Sequence, residues 1–361
     1  MKKSIFILFF LMMTALLFAG GSQEKDQNND SDSGHSEKAE TAEENHQAEE
    51  KLLNIYCYDS FASEWGPGPA LVENFTAATG IEVKLNAPGD TVTVLSKVIL
   101  EKKNPAGDLL IGPDNNLLAR VLAEDVLEAY EAPALSGVSK ELIFDESNHL
   151  LPFDWGYFAI CYDSEVLSNP PASLEDLTKA EYAKSLVLMD PRTSSPGMGF
   201  LLWTRAVYGD DYLEYWNRLA PSVLTVTESW SNGYGLFTSG EASLVLSYST
   251  SPVYHKMWEE TERYKALDFA EGNYLQVEGV GVIKGAAHPE AARMFIDYML
   301  SAEGQAIIAT NNIMMPAVSS TELPEAFDMA FISANPLLLD KEEIAAGEQE
   351  WVQSWVEKSG L

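Results

Sequence analysis

Cysteine, histidine and basic side chains are all scarce in this sequence of 361 residues, and each scarcity excludes a class of function. Only two cysteines occur, Cys57 and Cys161, both inside apolar strand-like runs (LNIYCYD and YFAICYD). No paired Cys-x-x-Cys is present, and each thiol reads as a small buried core residue rather than half of a disulfide. Histidine appears five times. Of these only His149, His255 and His288 lie beyond residue 51, and their spacing is not that of metal ligands. Lysine and arginine together number 23 against 55 Asp and Glu, a formal charge of −32. Nucleic-acid binding requires phosphate neutralisation by Lys and Arg, so this balance argues against it. The acidity mainly promotes solubility. Phosphate-loop (GxxxxGKS), HExxH and GxSxG patterns are also missing, which removes the readiest enzyme readings.

Long apolar runs are lacking after the first turn of the sequence. Met1-Lys2-Lys3 is followed by an apolar run from Ile5 to Phe18 and by Ala19-Gly20-Gly21. That layout predicts a secretory signal peptide over residues 1–21. The run falls short of the roughly 20 residues a membrane span needs, although an uncleaved anchor is its other reading. LFAGGS has the form of a lipoprotein processing site in which Gly21 replaces the acceptor Cys, so no lipid anchor is expected there. Residues 22–51 carry no aromatic and no large aliphatic side chain before Lys51. Such a segment predicts a disordered acidic linker.

Residues 52–361 are long enough for two cores. LLNIY, IEVKLN and DLLIG read as strands separated by helices near 70–78 and 92–103. This alternation predicts a parallel sheet with crossover helices, and ligands of such sheets bind beyond the carboxyl ends of the strands. LPFDWGYFAICYD is too apolar for a loop and reads as a first crossing between lobes. YLQVEGVGVIKG reads as the crossing back. The fold class expected is α/β, with two lobes, a hinge and a ligand cleft. Lobe 1 takes residues 52–153 and 277–316; lobe 2 takes 154–276 and the C-terminal helices of 317–361. In the last helix, Ile344, Trp351, Val352 and Trp355 are expected to face the second lobe.

Two patterns carry chemistry. In DPRTSSPG (190–197), hydroxyls precede a helix that starts at Pro196-Gly197. Free N–H groups and hydroxyls there suit an anion, with Ser194 and Ser195 as donors and Arg192 as charge partner or prop. The same run is also an ordinary helix cap. The second pattern is aromatic: Tyr58, Trp65, Trp155, Tyr157, Trp230, Tyr234, Tyr248 and Tyr254 fall near the strand exits. Singly, each ring suits core packing. Together with nearby carboxylates they suit a flat cationic ligand.

The runs YDSFASEWGPGP, GPDNNLL, PFDWGYFA, NPPASLEDL, DPRTSSPGMGFLLW, YGDD, SYSTSPVYH and YLQVEGVGV together resemble the thiamine-binding periplasmic proteins of bacterial ABC importers, over nearly all of residues 52–318. The resemblance implies the type II periplasmic binding protein fold and an exported, extracytoplasmic monomer. It implies capture of thiamine, its monophosphate or its diphosphate for a membrane permease, with no cofactor, metal or catalytic residue. Position by position, Tyr58 and Tyr254 are expected to hold the aminopyrimidine. Asp90 is expected to make a polar contact, Ser194 to bind phosphate, and Trp230 and Tyr248 to complete that end of the pocket. Ile313, in NNIMMP, stands where family members can carry a Trp against the thiazolium. That departure predicts weaker discrimination for the cation, or compensation by a ring such as Trp155. A thiaminase-like enzyme on a similar fold, using Cys57 or Cys161 as nucleophile, is the alternative activity. A polyamine, iron or sugar carrier is the alternative ligand class.

Overall fold

The structure, a computed structural model, describes residues 52–361. The expected signal peptide and acidic linker lie outside the described residues. Strand β1 (Leu52–Tyr56) is followed by helix Pro67–Thr79, whose first turn begins at Pro67 with its fixed φ and which ends on left-handed Gly80. Strand β2 (Glu82–Asn86), helix Thr91–Glu101 and strand β3 (Leu109–Asp114) complete the first alternation. Both β2 and β3 pair with β1 in parallel, as the crossover helices require.

The remaining strands make the sheet mixed. They are β4 (Leu127–Glu128), β5 (Leu151–Asp163), β6 (Leu186–Met189), β7 (Val223–Thr227), β8 (Leu244–Tyr248), β9 (Tyr264–Ala266), β10 (Leu275–Ile283) and β11 (Met315–Pro316). Their main order is β2-β1-β3-β10-β5-β8-β6-β7. Strand β10 runs antiparallel to both β3 and β5, so the purely parallel sheet expected from the first alternation holds only for β1–β3 and β6–β8. The physical reason is that 275–283 returns along the sheet without a crossover helix.

Strand β5 is unusually long, and its two halves have different neighbours. Residues 151–157 pair with β10, while 158–163 pair with β8 and β9. Leu151 and Phe153 pack in one buried cluster with Ile55, Phe61, Phe75 and Phe295. Phe158, Ile160 and Cys161 pack in another with Leu188, Trp203, Trp216 and Leu246. The apolar run that looked too hydrophobic for a loop therefore supplies both cores. Helix Pro289–Met299 buries Ala292, Phe295, Ile296 and Met299 on one face, as its spacing predicts. In helix Lys341–Lys358, Ile344, Trp351 and Trp355 are buried in the second cluster, and Val352 packs against it half-buried.

No helix among the described residues is long and apolar enough to cross a membrane.

Candidate functional site

Several helices begin around one cavity of about 270 Å³. Helix Thr91–Glu101 opens on Asp90, helix Ser195–Tyr208 on Ser194, helix Trp230–Thr238 on Ser229, and helix Ser251–Trp258 on Thr250. Each follows a strand or its exit loop, so their N–H ends converge where the strands stop. This is the position at which α/β sheets bind ligands. The caps explain the local sequences. Asp90 Oδ1 accepts from the N–H of Thr91 at 2.6 Å, Ser194 Oγ from Gly197 at 3.4 Å and Ser229 Oγ from Asn232 at 3.3 Å.

Six of the seven expected site residues line this cavity: Tyr58, Asp90, Trp230, Tyr248, Tyr254 and Ile313. Ser194 does not. It is fully buried behind the wall, where it caps its helix, while its neighbours Ser195 and Pro196 face the cavity. Arg192 is turned onto Asp190, donating from Nε at 2.9 Å, and so acts as a prop for the turn. Trp65 and Tyr234 also line the cavity, but Trp155 and Tyr157 do not. Those two belong to a separate groove on the same strand, where Trp155 Nε1 donates to the carbonyl of Pro316 at 3.2 Å. Trp155 is therefore in no position to replace the ring missing at Ile313.

The rings form a connected wall. Trp230 stacks on Tyr234 with centroids 4.7 Å apart, approaches Trp65 at 6.0 Å and Tyr248 at 6.5 Å, and donates from Nε1 to Ser247 Oγ at 2.9 Å. The Tyr234 hydroxyl meets Nε2 of the fully buried His255 at 2.9 Å, whose Nδ1 meets Glu259, another lining residue, at 2.6 Å. Burial holds the His255 pKa below its usual value. His255 is thus a buried prop for the aromatic wall. Tyr58 packs over Gly112, whose φ of 117° a side chain would not tolerate and whose Cβ would lie 2.5 Å from Tyr58 Cδ1.

Ser60, Thr91, Thr250 and Ser251, which follow strand ends in the sequence, also line the cavity, and so do Glu278 and Asn312, which the sequence did not mark as site residues. Glu278 carried a signal, a lone charge in the apolar strand QVEGVGV. Tyr58 donates to Glu278 Oε2 at 2.8 Å, and Asn312 Nδ2 donates to Asp154 Oδ2 at 2.6 Å. Asp154 and Glu278 face each other across β5 and β10. Burial raises the pKa of Asp90 to about 6 and that of Asp154 to about 7. Burial, then the Asp154 charge, pushes Glu278 well above the carboxylate range.

No lysine, arginine or histidine lines the cavity among the described residues. The wall offers rings, hydroxyls, helix N-termini and buried carboxyls. It suits a ligand with a flat cationic part and leaves hydroxyls and backbone N–H groups as donors to any anionic part.

The profile of the family described as bacterial extracellular solute-binding protein matches residues 104–345. The chain belongs to that family. This binding protein is 44% identical over 315 residues to a thiamine-binding periplasmic protein of Brucella abortus, covering 86% of this chain and 92% of that one. A solved structure of a periplasmic thiamin binding protein superposes with a TM-score of 0.80 at 40% identity, covering 86% and 96% of the two chains. A periplasmic binding protein from Actinobacillus pleuropneumoniae, with fructose-6-phosphate bound, gives a TM-score of 0.76 at 20% identity over 86% and 99%, a likeness of fold. The architecture is the type II periplasmic binding protein fold.

The family places this binding protein among solute carriers rather than enzymes. Its thiols agree. Cys57 and Cys161 are free, buried and unbridged, and burial foremost pushes each pKa up to about 12, which disfavours a thiolate nucleophile.

Proposed function

We propose that this protein captures thiamine or one of its phosphate esters outside the cytoplasm and presents it to an ABC importer. The observation that carries the reading is the cavity itself: Tyr58, Trp230, Tyr248 and Tyr254 surround buried carboxyls, with no basic side chain on its wall among the described residues. A thiazolium carries a permanent positive charge on a flat ring, and such a ring gains from aromatic faces and nearby anions. The names of the relatives, with 44% identity over most of both chains, support the same ligand. The aminopyrimidine is assigned to Tyr58 and Tyr254. A phosphate is assigned to the end formed by Asp90, Trp230, Tyr248 and the start of helix Ser195–Tyr208, with Ser194 holding that end from behind.

The two buried clusters are taken as lobes, and the connecting strands β5 and β10 as the hinge about which the cleft closes. Closure would present both lobes together to a permease. The periplasmic names of the relatives support an extracytoplasmic location. Export by residues 1–21, without a lipid on Gly21, belongs to the same proposal.

The test is isothermal calorimetry on protein that has been unfolded and refolded to strip bound ligand, titrated with thiamine, its monophosphate and its diphosphate. One-to-one binding of any of the three, with no breakdown product, is expected. The absence of heat with all three would overturn the ligand assignment, and binding with cleavage would restore the enzyme alternative.

A further inference from the structure

We propose that Glu278 is the counter-anion for the positive charge of the ligand, and that ligand entry expels a proton which Glu278 shares with Asp154. The proposal rests on the thiamine reading above and adds to it a specificity-determining residue and a proton linkage.

The geometry begins with strand register. Glu278 on β10 lies opposite Asp114 on β3 and opposite Asp154 on β5, which sets three carboxyl-bearing residues in a row across the sheet. All three are buried, with at most 5% of their surface exposed. Their compensation is unequal. Asp114 accepts from the N–H groups of Asn116 and Leu117 at 3.0 and 3.2 Å, and from the amides of Asn116 and Gln276 at 3.2 and 3.1 Å. Four donors satisfy a carboxylate without a cation. Glu278 receives the Tyr58 hydroxyl, and Asp154 receives the Asn312 amide. Asp154 Oδ1 is fully buried and has no hydrogen-bond partner.

Among the described residues, no lysine, arginine or histidine lines the cavity beside this pair. Tyr58 follows β1, Asn312 ends the turn at 308–312, Asp114 sits on β3 and Tyr248 ends β8, while Asp90 and Glu259, the latter held by His255 Nδ1, are the other carboxyls of the cavity wall. Two neighbouring buried carboxylates without a counter-ion cannot both be ionised cheaply, so one proton stays on the pair. Burial raises both members, with the neighbouring carboxyl adding to the rise at Glu278, which agrees with that expectation.

Glu278 reaches the cavity wall and Asp154 does not. A cationic ring in the cavity therefore meets Glu278 directly, supplies the missing counter-charge and lowers the proton affinity of the pair. The O–H bond held between the two carboxyls breaks, the proton passes to bulk buffer, and Glu278 becomes the anion facing the ligand. Asp154 is a positioning residue: it holds the proton in the empty cavity and does not touch the ligand. The linkage also bears on selectivity. A neutral ring of the same shape cannot drive the proton out and meets a protonated pair.

The experiment is calorimetry of thiamine binding at pH 7 in PIPES and in Tris, two buffers with very different ionisation enthalpies and neither supplying inorganic phosphate to the anion end of the cavity. The expected result is one-to-one binding whose enthalpy differs between buffers by the amount for release of about half to one proton. Asp154→Asn should bind thiamine with a smaller difference between the two buffers, because burial alone then holds the proton on Glu278. Glu278→Gln should lose about tenfold of the preference for thiamine over an analogue in which carbon replaces the thiazolium nitrogen. Circular dichroism checks that both variants fold, and the buffer comparison on the unaltered protein decides even if one does not. Equal heats in the two buffers for the unaltered protein would overturn the proton linkage. An unchanged preference in folded Glu278→Gln would overturn the counter-anion role. Either result would leave thiamine binding intact, whereas no binding of any thiamine compound would remove the ligand assignment and this inference together.

Discussion

The carboxylate of Asp90 joins two helices: Oδ1 accepts the N–H of Thr91 at 2.6 Å, and Oδ2 accepts the N–H of Trp230 at 3.0 Å. Thr91 begins a helix whose Val92 and Leu95 pack with Leu110, and Trp230 begins one packed on the cluster of Leu188 and Leu246. Ser231 repeats the connection by donating to Asp59 Oδ1 at 3.1 Å, and Thr93 N–H reaches the carbonyl of Thr193 at 3.2 Å. Residues from both sides of the cavity thus meet directly around its rim.

Asp90→Ala removes the central member of that set. A hydrogen bond to a charged group contributes about 1.5–3 kcal/mol, so thiamine affinity should fall by about tenfold or more. Calorimetry checks this, and an unchanged dissociation constant would show that the bridge is not used in binding.

Gly112→Ala tests the close approach beneath Tyr58. The added Cβ would meet Tyr58 Cδ1 at 2.5 Å and Thr91 Oγ1 at 3.0 Å, at a φ of 117°. Strain and overpacking together should cost about 2–4 kcal/mol. Urea unfolding should show the loss as a lower midpoint, and thiamine affinity should drop with it because the Tyr58 ring is displaced.

Ile313→Trp tests the departure from the family pattern. Ile313 lines the cavity from a left-handed backbone, φ 56° and ψ 40°, an uncommon state for a β-branched residue. A ring there should add cation–π attraction of about 0.5–2 kcal/mol. Thiamine should bind more tightly by about two- to thirtyfold, while a neutral analogue gains less. Equal gains for both ligands would mean that the ring adds packing alone.

Stability of the empty protein should fall as pH rises from about 4 to about 7. Asp90 and Asp114 are raised from 3.8 to about 6 and Asp154 to about 7, in each case chiefly by burial. A carboxyl with a raised folded pKa binds more protons folded than unfolded in that window, so rising pH favours the unfolded state. The opposite set includes Asp163, held below its ordinary value first by its hydrogen bond to Arg263, and its stabilisation is lost only below about pH 4. Melting temperatures measured from pH 4.5 to 8 should therefore peak on the acid side of neutrality. Saturating thiamine should flatten the decline, because a bound cation favours the ionised carboxyls.

Local patterns in the chain determined its helices, several strands and most of the cavity residues. Apolar spacing at Phe295, Ile296 and Met299, the Gly80 stop, and the long run 151–163 are properties of neighbouring residues, and they dictated the same elements in isolation as in the fold. The rings at 58, 230, 248 and 254 were legible because they follow strand ends, where α/β sheets place ligands. Tertiary structure alone decided how those parts were shared. It sent Trp155 and Tyr157 to a different groove from Trp230, put Ser194 behind the wall and Ser195 on it, and set Glu278 between Asp114 and Asp154. Those outcomes depend on strand register and on which face of a strand meets which core. Residues 114, 154 and 278 become neighbours only when three distant strands align, and burial then creates their charge competition. A single chain carries the elements in its spacing, but long-range pairing decides which side chains share a proton.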